Sequence, residues 1–288
     1  MRLSTSTCIV FNRPSGRKIP IEECIALCAK AGYKVLDINF HDCSMFYTPL
    51  WDDSWLDWMY GIKETADRYG IEFSQSHLHF YNYFDPNIEN KNLYEEKIKR
   101  GIIGSGILGV KWAVTHAATD FWSPEPVKSS KKGNIEYFKS LIEFAGERNV
   151  GIAIENLWEL NISPQRRYTS TAEEVVDLVD SLHYENIGIC WDFEHADIMK
   201  QDQEASLQFI ADRLKATHVS DNNGKNNDHL LPFAGKTDWV NIMKILKQIN
   251  YQGDFTYEIL HYVDNTPDPL VLPALKYSVQ VGQYLLAL

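Results

Sequence analysis

Six short apolar runs in this sequence each end in an acidic or imidazole side chain. They read Ser76-His77-Leu78-His79, Thr115-His116, Ile154-Glu155-Asn156, Trp191-Asp192-Phe193-Glu194-His195, Thr217-His218-Val219-Ser220-Asp221 and Tyr257-Glu258. Carboxylates and imidazoles are the side chains that take hard or borderline divalent cations and that move protons at neutral pH. One such residue after a strand is ordinarily a helix cap or a loop charge. Six in succession form a pattern. If the runs converge at one end of a fold, the carboxylates among Glu155, Asp192, His218 and Glu258 repel one another unless a cation sits among them. The sequence therefore predicts that these four share a divalent metal. The oxygen-rich set favours Mn²⁺, with Mg²⁺, Co²⁺ and Zn²⁺ as alternatives.

Convergence requires parallel strands. The apolar runs Thr7–Phe11, Lys34–Asn39, Ile71–His77, Lys111–Thr115, Val150–Ile154, Ile187–Trp191, Lys215–Val219 and Phe255–Ile259 are strand-like. Amphipathic stretches with helical spacing separate them: Ile21–Lys30, Ser54–Arg68, Glu89–Leu108, Asn134–Arg148, Ala172–Leu182, Glu204–Arg213, Trp239–Ile249 and Pro273–Leu286. Gly32 and Gly70 stand where helices would stop, and Thr171 with Glu174 has capping-box spacing. Alternation of strand and helix implies a parallel sheet, and eight repeats imply closure. The expected fold is α/β, a (β/α)8 TIM barrel forming a single domain over residues 1–288, with the six acidic and imidazole termini on its catalytic face. Gly101-Ile-Ile-Gly104-Ser-Gly106 lies inside a helical pattern and follows no strand, so it is not read as a dinucleotide loop.

A formal net charge of −11 argues against general nucleic-acid binding and against anionic membranes, since both rest on positive patches. No apolar run reaches membrane-spanning length, and Met1–Phe11 lacks the apolar core of a signal peptide. Five cysteines without metal-ligand spacing read as reduced thiols, Cys190 being packed in a strand. The expectation is a cytoplasmic protein with no nucleic-acid partner. A homo-oligomer is compatible with this reading.

Ala153-Ile-Glu155-Asn156, Cys190-Trp-Asp192-Phe-Glu-His195, His218-Val-Ser-Asp221 and Tyr257-Glu258 resemble the xylose-isomerase-like TIM barrels. That superfamily includes ketose 3-epimerases, hydroxypyruvate isomerase, inosose-processing enzymes and AP endonucleases of the endonuclease IV type. The resemblance covers essentially the whole chain. It implies that Glu155, Asp192, His218 and Glu258 are the epimerase metal quartet. It implies that Glu155 and Glu258 move protons on either side of a substrate carbon, and that His195 contacts substrate. The chain departs from the ketose 3-epimerase pattern about six residues after His218, where those enzymes carry Arg and this sequence has Gly224 followed by Lys225. His77, His116, Glu155, Asp192, His195, His218, His229 and Glu258 match positions that the endonucleases use for three zinc ions. The expected Asp two residues before His229 is Asn227 here, which predicts that the third zinc site is not intact.

The resemblance implies a metal-dependent isomerase or epimerase acting on a small carbohydrate by proton transfer next to a carbonyl, through an enediolate. Lys225, His229, His77 and His116 join His195 as expected substrate contacts. Trp51, Phe80, Tyr81, Trp122 and Trp158 fall in loops after strands and are candidates for an apolar wall. Beyond Arg166-Arg167 and Lys225 those loops lack basic clusters, which leans against a phosphosugar. The same site would also serve a lyase or dehydratase on a keto-sugar or inosose. An endonuclease IV-like phosphodiesterase is the remaining alternative.

Overall fold

The computed structural model describes residues 1–45, 48–159 and 167–288. Eight strands form one parallel sheet: β1 (Leu3–Ser6), β2 (Val35–Asn39), β3 (Glu72–His77), β4 (Trp112–His116), β5 (Gly151–Glu155), β6 (Ile187–Asp192), β7 (Leu214–His218) and β8 (Phe255–Tyr257). Neighbours follow sequence order from β7 back to β1, and β1 then pairs with β8. The ring is drawn together between β7 and β8 by one parallel bridge, Val219 to Tyr257. There the Val219 amide donates to the Thr256 carbonyl (2.8 Å) and the Glu258 amide to the Val219 carbonyl (3.0 Å). The chain is a (β/α)8 TIM barrel.

Helices Ile21–Ala31, Trp55–Tyr69, Lys91–Leu108, Pro126–Gly146, Ala172–Leu182, Gln203–Ile210, Trp239–Gln248 and Asp268–Ala287 follow the strands in turn and bury their apolar faces against them. Local chemistry fixes their ends. Gly32 stops the first with φ +117°, where a side chain would be strained. The Thr171 hydroxyl accepts from the Glu174 amide (3.3 Å) and starts the fifth. All five cysteines are buried and unpaired.

Two expectations need correction. The first strand is Leu3–Ser6 and not Thr7–Phe11. Registering Ser4 with Val35 and Thr256 uses the residues before Thr7, and the Ser6 hydroxyl then accepts from the Cys8 amide, turning the chain into a 3-10 segment. Thr7–Val10 is apolar because it is buried beyond the end of the strand. The fourth barrel helix begins at Pro126, two turns before the expected Asn134. Those turns carry Lys128, Lys131 and Lys132 and have no continuous apolar stripe to signal them. Two short helices, Phe40–Met45 and Phe193–Ile198, are too brief to show a period.

The glycine-rich stretch is helical, as read from sequence, and its glycines serve packing. A Cβ on Gly104 would lie 2.8 Å from the Phe40 ring and 2.9 Å from Met59 Cε, both in the core. Gly104→Ala is therefore expected to destabilise the barrel by about 1–3 kcal/mol through overpacking. Urea denaturation should show a lower midpoint at unchanged slope, whereas unchanged stability would mean the contact relaxes freely.

Candidate metal centre

Side chains two residues apart in a strand point to the same face. Inside the barrel Val114, Ala153, Cys190 and Ala216 form a small apolar layer from four consecutive strands. Two residues on, each strand presents His116, Glu155, Asp192 and His218, one layer higher. The register agrees, with His116 opposite Glu155 and Asp192 opposite His218. The same step from Gln75 gives His77 and from Thr256 gives Glu258. Gln75 and Thr256 touch across the interior at 3.5 Å. The barrel geometry thus brings the six predicted residues together at the C-terminal mouth.

Glu155 lies at the centre. Its Oε2 faces His116 Nε2 (3.1 Å) and His77 Nε2 (3.4 Å), and its Oε1 faces His195 Nδ1 (3.2 Å) and His218 Nδ1 (3.3 Å). Glu258 Oε2 is 3.4 Å from the same His218 nitrogen. Glu155, Asp192, His218 and Glu258 are all under 10% exposed, and each offers a ligand atom within 4.8 Å of the other three. His77 and His116 form a second group with Glu155, and His77 a third with His218 and Glu258. Among the described residues no lysine or arginine pairs with the three carboxylates.

Hydrogen bonding leaves particular atoms facing inward. Asp192 caps the short helix Phe193–Ile198, its Oδ1 accepting from the His195 amide (2.7 Å). Its Oδ2 is buried and makes no hydrogen bond, and neither does His218 Nδ1. Buried polar atoms without partners are costly. These two belong to residues whose chemistry suits a cation. The donor set fits a divalent ion: three carboxylates and an imidazole in one small volume, two of their ligand atoms making no hydrogen bond.

Burial and neighbours set the charge states in the cation-free chain. Burial raises Glu258 to about 8 and holds Asp192 above the usual carboxylate range. Burial works the same way on Glu155, but His218 and His116 pull it well below its ordinary value. Burial opposes charge on His195, yet Asp192 and Glu155 raise it to about 9. His116 and His229, more desolvated than compensated, fall to about 4.

The remaining expected contacts divide. His195 donates through Nδ1 to the Asn156 carbonyl (2.9 Å) and stays beside Asp192, with Trp158 tilted over it at 6.1 Å. His229 reaches the rim, its Nδ1 on the Glu258 carbonyl oxygen (2.8 Å) and its Nε2 on the Asn227 amide (2.9 Å), so both ring nitrogens are engaged. Lys225 is not brought into the cluster. It is exposed on the loop after β7, next to Gly224, whose φ is +79°. Phe80 stacks near His116 (3.8 Å between ring centres), whereas Trp51 packs on Lys97 and Trp122 is exposed. Arg166 lies outside the described residues. A recess of 810 Å³ lies at the opposite end of the barrel, around Arg2, Glu72 and Asp254. That end of a TIM barrel ordinarily serves stability.

Three residues quoted in the motifs have roles that sequence alone did not reveal. Asn156 ties β5 to β6, accepting from the Asp192 amide (2.7 Å) and donating to the Asp192 carbonyl (2.9 Å). Glu194 is fully buried and accepts from Ser220 Oγ and from the Asp228 and His229 amides, latching the loop after β7. Asp221 accepts from the Asn222, Phe233 and Thr237 amides and from Trp239 Nε1. Their adjacency to the ligands was the available signal.

The family model described as xylose isomerase-like TIM barrel matches residues 25–277. The chain belongs to this family. It is 27% identical over 207 residues to the uncharacterized protein MJ1311 of Methanocaldococcus jannaschii, covering 68% of this chain and 67% of that one. It is 36% identical over 116 residues to the uncharacterized protein y4fM of Sinorhizobium fredii, spanning 39% of this chain and 34% of that protein. A D-psicose 3-epimerase of Enterocloster bolteae is 27% identical over 154 residues, 53% of this chain and 46% of the enzyme. Among solved structures, D-psicose 3-epimerase from Clostridium cellulolyticum superposes with a TM-score of 0.77 at 16% identity over 99% of each chain. The 3-keto-D-glucoside 4-epimerase YcjR from E. coli gives 0.74 at 17% over the full length of both. Relatives and structural neighbours thus include sugar epimerases. No described helix is long and apolar enough to cross a membrane.

The charge states have a stability consequence. Glu258 at about 8 and His195 at about 9 bind more protons folded than unfolded, between their ordinary values and those raised ones. Stability in that window falls as pH rises. With a chelator present, the melting temperature is expected to drop between about pH 6 and about pH 9, and saturating Mn²⁺ should remove most of that drop. A cation-free profile that is flat or rising would contradict these charge states.

Proposed function

We propose that this protein is a metal-dependent sugar isomerase or epimerase that moves a proton at a carbon next to a carbonyl. The observation that carries the reading is the placement of Glu155 and Glu258. They come from β5 and the end of β8, and both reach His218 Nδ1, at 3.3 and 3.4 Å. Two carboxylates then face one small space from different sides. The likeness to a D-psicose 3-epimerase at 27% identity supports the same class of reaction.

Glu155, Asp192, His218 and Glu258 would hold the cation, with Mn²⁺ the foremost candidate. When bound it would supply Lewis-acid stabilisation of negative charge on the substrate oxygens. The protein's own groups do the rest. Glu155 and Glu258 stand on either side of the reacting space, so each is placed to take or return a proton. Glu155 takes the carbon-bound proton, leaving an enediolate. Glu258 returns a proton on the other face, giving epimerisation, or to the adjacent carbon, giving isomerisation. Expulsion of a β-hydroxyl from the same carbanion would make the enzyme a lyase or dehydratase. His195, held by Asn156 and Asp192, is placed to orient a substrate hydroxyl.

The group His77, His116 and Glu155 favours one second reading, a multinuclear phosphodiesterase of the endonuclease IV type. Two features weigh against it. Asn227 stands where an anionic ligand is expected, and both nitrogens of His229 are already engaged.

Incubation with Mn²⁺ and a panel of free ketoses, aldoses and ketoinositols in D2O is expected to put deuterium at a carbon-bound position of the true substrate. Glu258→Gln should lower net turnover roughly 10²–10⁴-fold while exchange by Glu155 persists. Loss of exchange as well would make Glu258 the base. Nicking of abasic DNA, with no deuterium entering any sugar, would overturn the reading.

A further inference from the structure

The 810 Å³ recess at the N-terminal mouth of the barrel is of a size that takes a small molecule, on the order of 300–1,000 Å³. Two of its lining residues owe their place to slips in the sheet register. Between β2 and β3, Leu36 pairs with Phe73 and Asp37 with Gln75, so Ser74 is an extra residue. Between β6 and β7, Ile189 pairs with Leu214 and Cys190 with Ala216, so Lys215 is an extra residue. A bulge re-aims the side chain it carries. β3 and β7 lie across the ring from each other, yet both extra residues line the same recess.

The packing keeps this space open. Trp112 lines it and packs on the apolar layer of Val114, Ala153, Cys190 and Ala216, which stands between the recess and the ligand cluster. A Cβ on Gly151 would lie 2.3 Å from the Trp112 ring, and one on Gly188 would lie 2.2 Å from Lys215 Cγ. Glycine at these two positions leaves room for the Trp112 ring and the Lys215 stem over the neighbouring strands.

The polar groups of the lining have unused donors. Arg2 forks onto both Glu72 (2.7 and 3.0 Å) and Asp254 (2.9 and 2.8 Å), so all four oxygens of those carboxylates already accept. Asp212, the remaining carboxylate, is exposed. Lys111 makes no ion pair among the described residues, and Lys215 Nζ gives one hydrogen bond, to the Asp212 carbonyl (2.7 Å). Ser74 is only 8% exposed, and its Oγ is buried without a hydrogen-bond partner. Such a hydroxyl is costly unless something else satisfies it.

We propose that this recess is a second binding site, separate from the cation cluster, for a small organic anion. Lys111, Lys215 and Ser74 hold its carboxylate or phosphate group, and its carbon skeleton lies against Trp112. The site does not depend on the sugar reading above.

Isothermal titration calorimetry of the purified protein with inorganic phosphate, glycerol 3-phosphate and succinate tests it. Saturable binding of glycerol 3-phosphate or succinate, tighter than that of inorganic phosphate, is expected, and whichever binds tighter identifies the headgroup. Lys111→Gln and Lys215→Gln, at positions that are not buried, should each weaken that binding about tenfold, and Ser74→Ala should weaken it severalfold. Asp192→Asn, which alters the cluster at the other end of the barrel, should leave the Kd unchanged. No saturable binding of any of the three, or a Kd unchanged in both lysine variants, would overturn the site. Binding lost in Asp192→Asn would place the anion at the cation cluster and overturn it equally.

Discussion

Three carboxylates, those of Glu155, Asp192 and Glu258, share a buried space a few ångströms wide without a lysine or arginine pairing with them among the described residues. That arrangement is unfavourable on its own, because burial penalises each charge and each charge penalises the next. In the cation-free chain the imidazoles and retained protons offset part of it. His218 and His195 are raised, Glu258 keeps its proton to about 8, and only Glu155, ringed by imidazoles, stays low. A divalent cation would resolve the conflict more completely. Local instability of this kind is what a site for binding and catalysis is expected to show.

The barrel makes the conflict sustainable. An apolar layer of Val114, Ala153, Cys190 and Ala216 lies directly beneath the ligands and excludes water from below. Above it, neighbouring groups fix the ligand orientations. Asn156 clasps the Asp192 backbone, and the helix cap uses one Asp192 oxygen and leaves the other free. Glu194 and Asp221, themselves buried acids, spend their charge on backbone amides of the loop after β7 and hold His229 against Glu258. The ligand set is thus oriented by residues outside it, as metal sites commonly are.

Much of this was legible in the sequence. The alternation of strands and helices and the placement of His77, His116, Glu155, Asp192, His218 and Glu258 at strand ends follow from period-two and period-3.6 patterns, which depend only on backbone geometry. What was not legible depended on tertiary partners. Thr7–Val10 looks like a strand because it is apolar, and only pairing of Leu3–Ser6 with β2 and β8 shows where the strand lies. Lys225 is exposed on the loop after β7, outside the cluster, a placement that sequence spacing does not give. Asn156, Glu194 and Asp221 carry no spacing signal of their own, since their partners are backbone atoms brought close by the fold.

The central claim is that one cation sits among Glu155, Asp192, His218 and Glu258. Anomalous scattering from crystals equilibrated with Mn²⁺ tests this most directly, because it locates the ion and does not infer it from activity. The account predicts a dominant peak within bonding distance of Asp192 Oδ2 and His218 Nδ1, lost in crystals of Asp192→Asn. A peak confined to His77, His116 and Glu155, or no peak at saturating Mn²⁺, would contradict it.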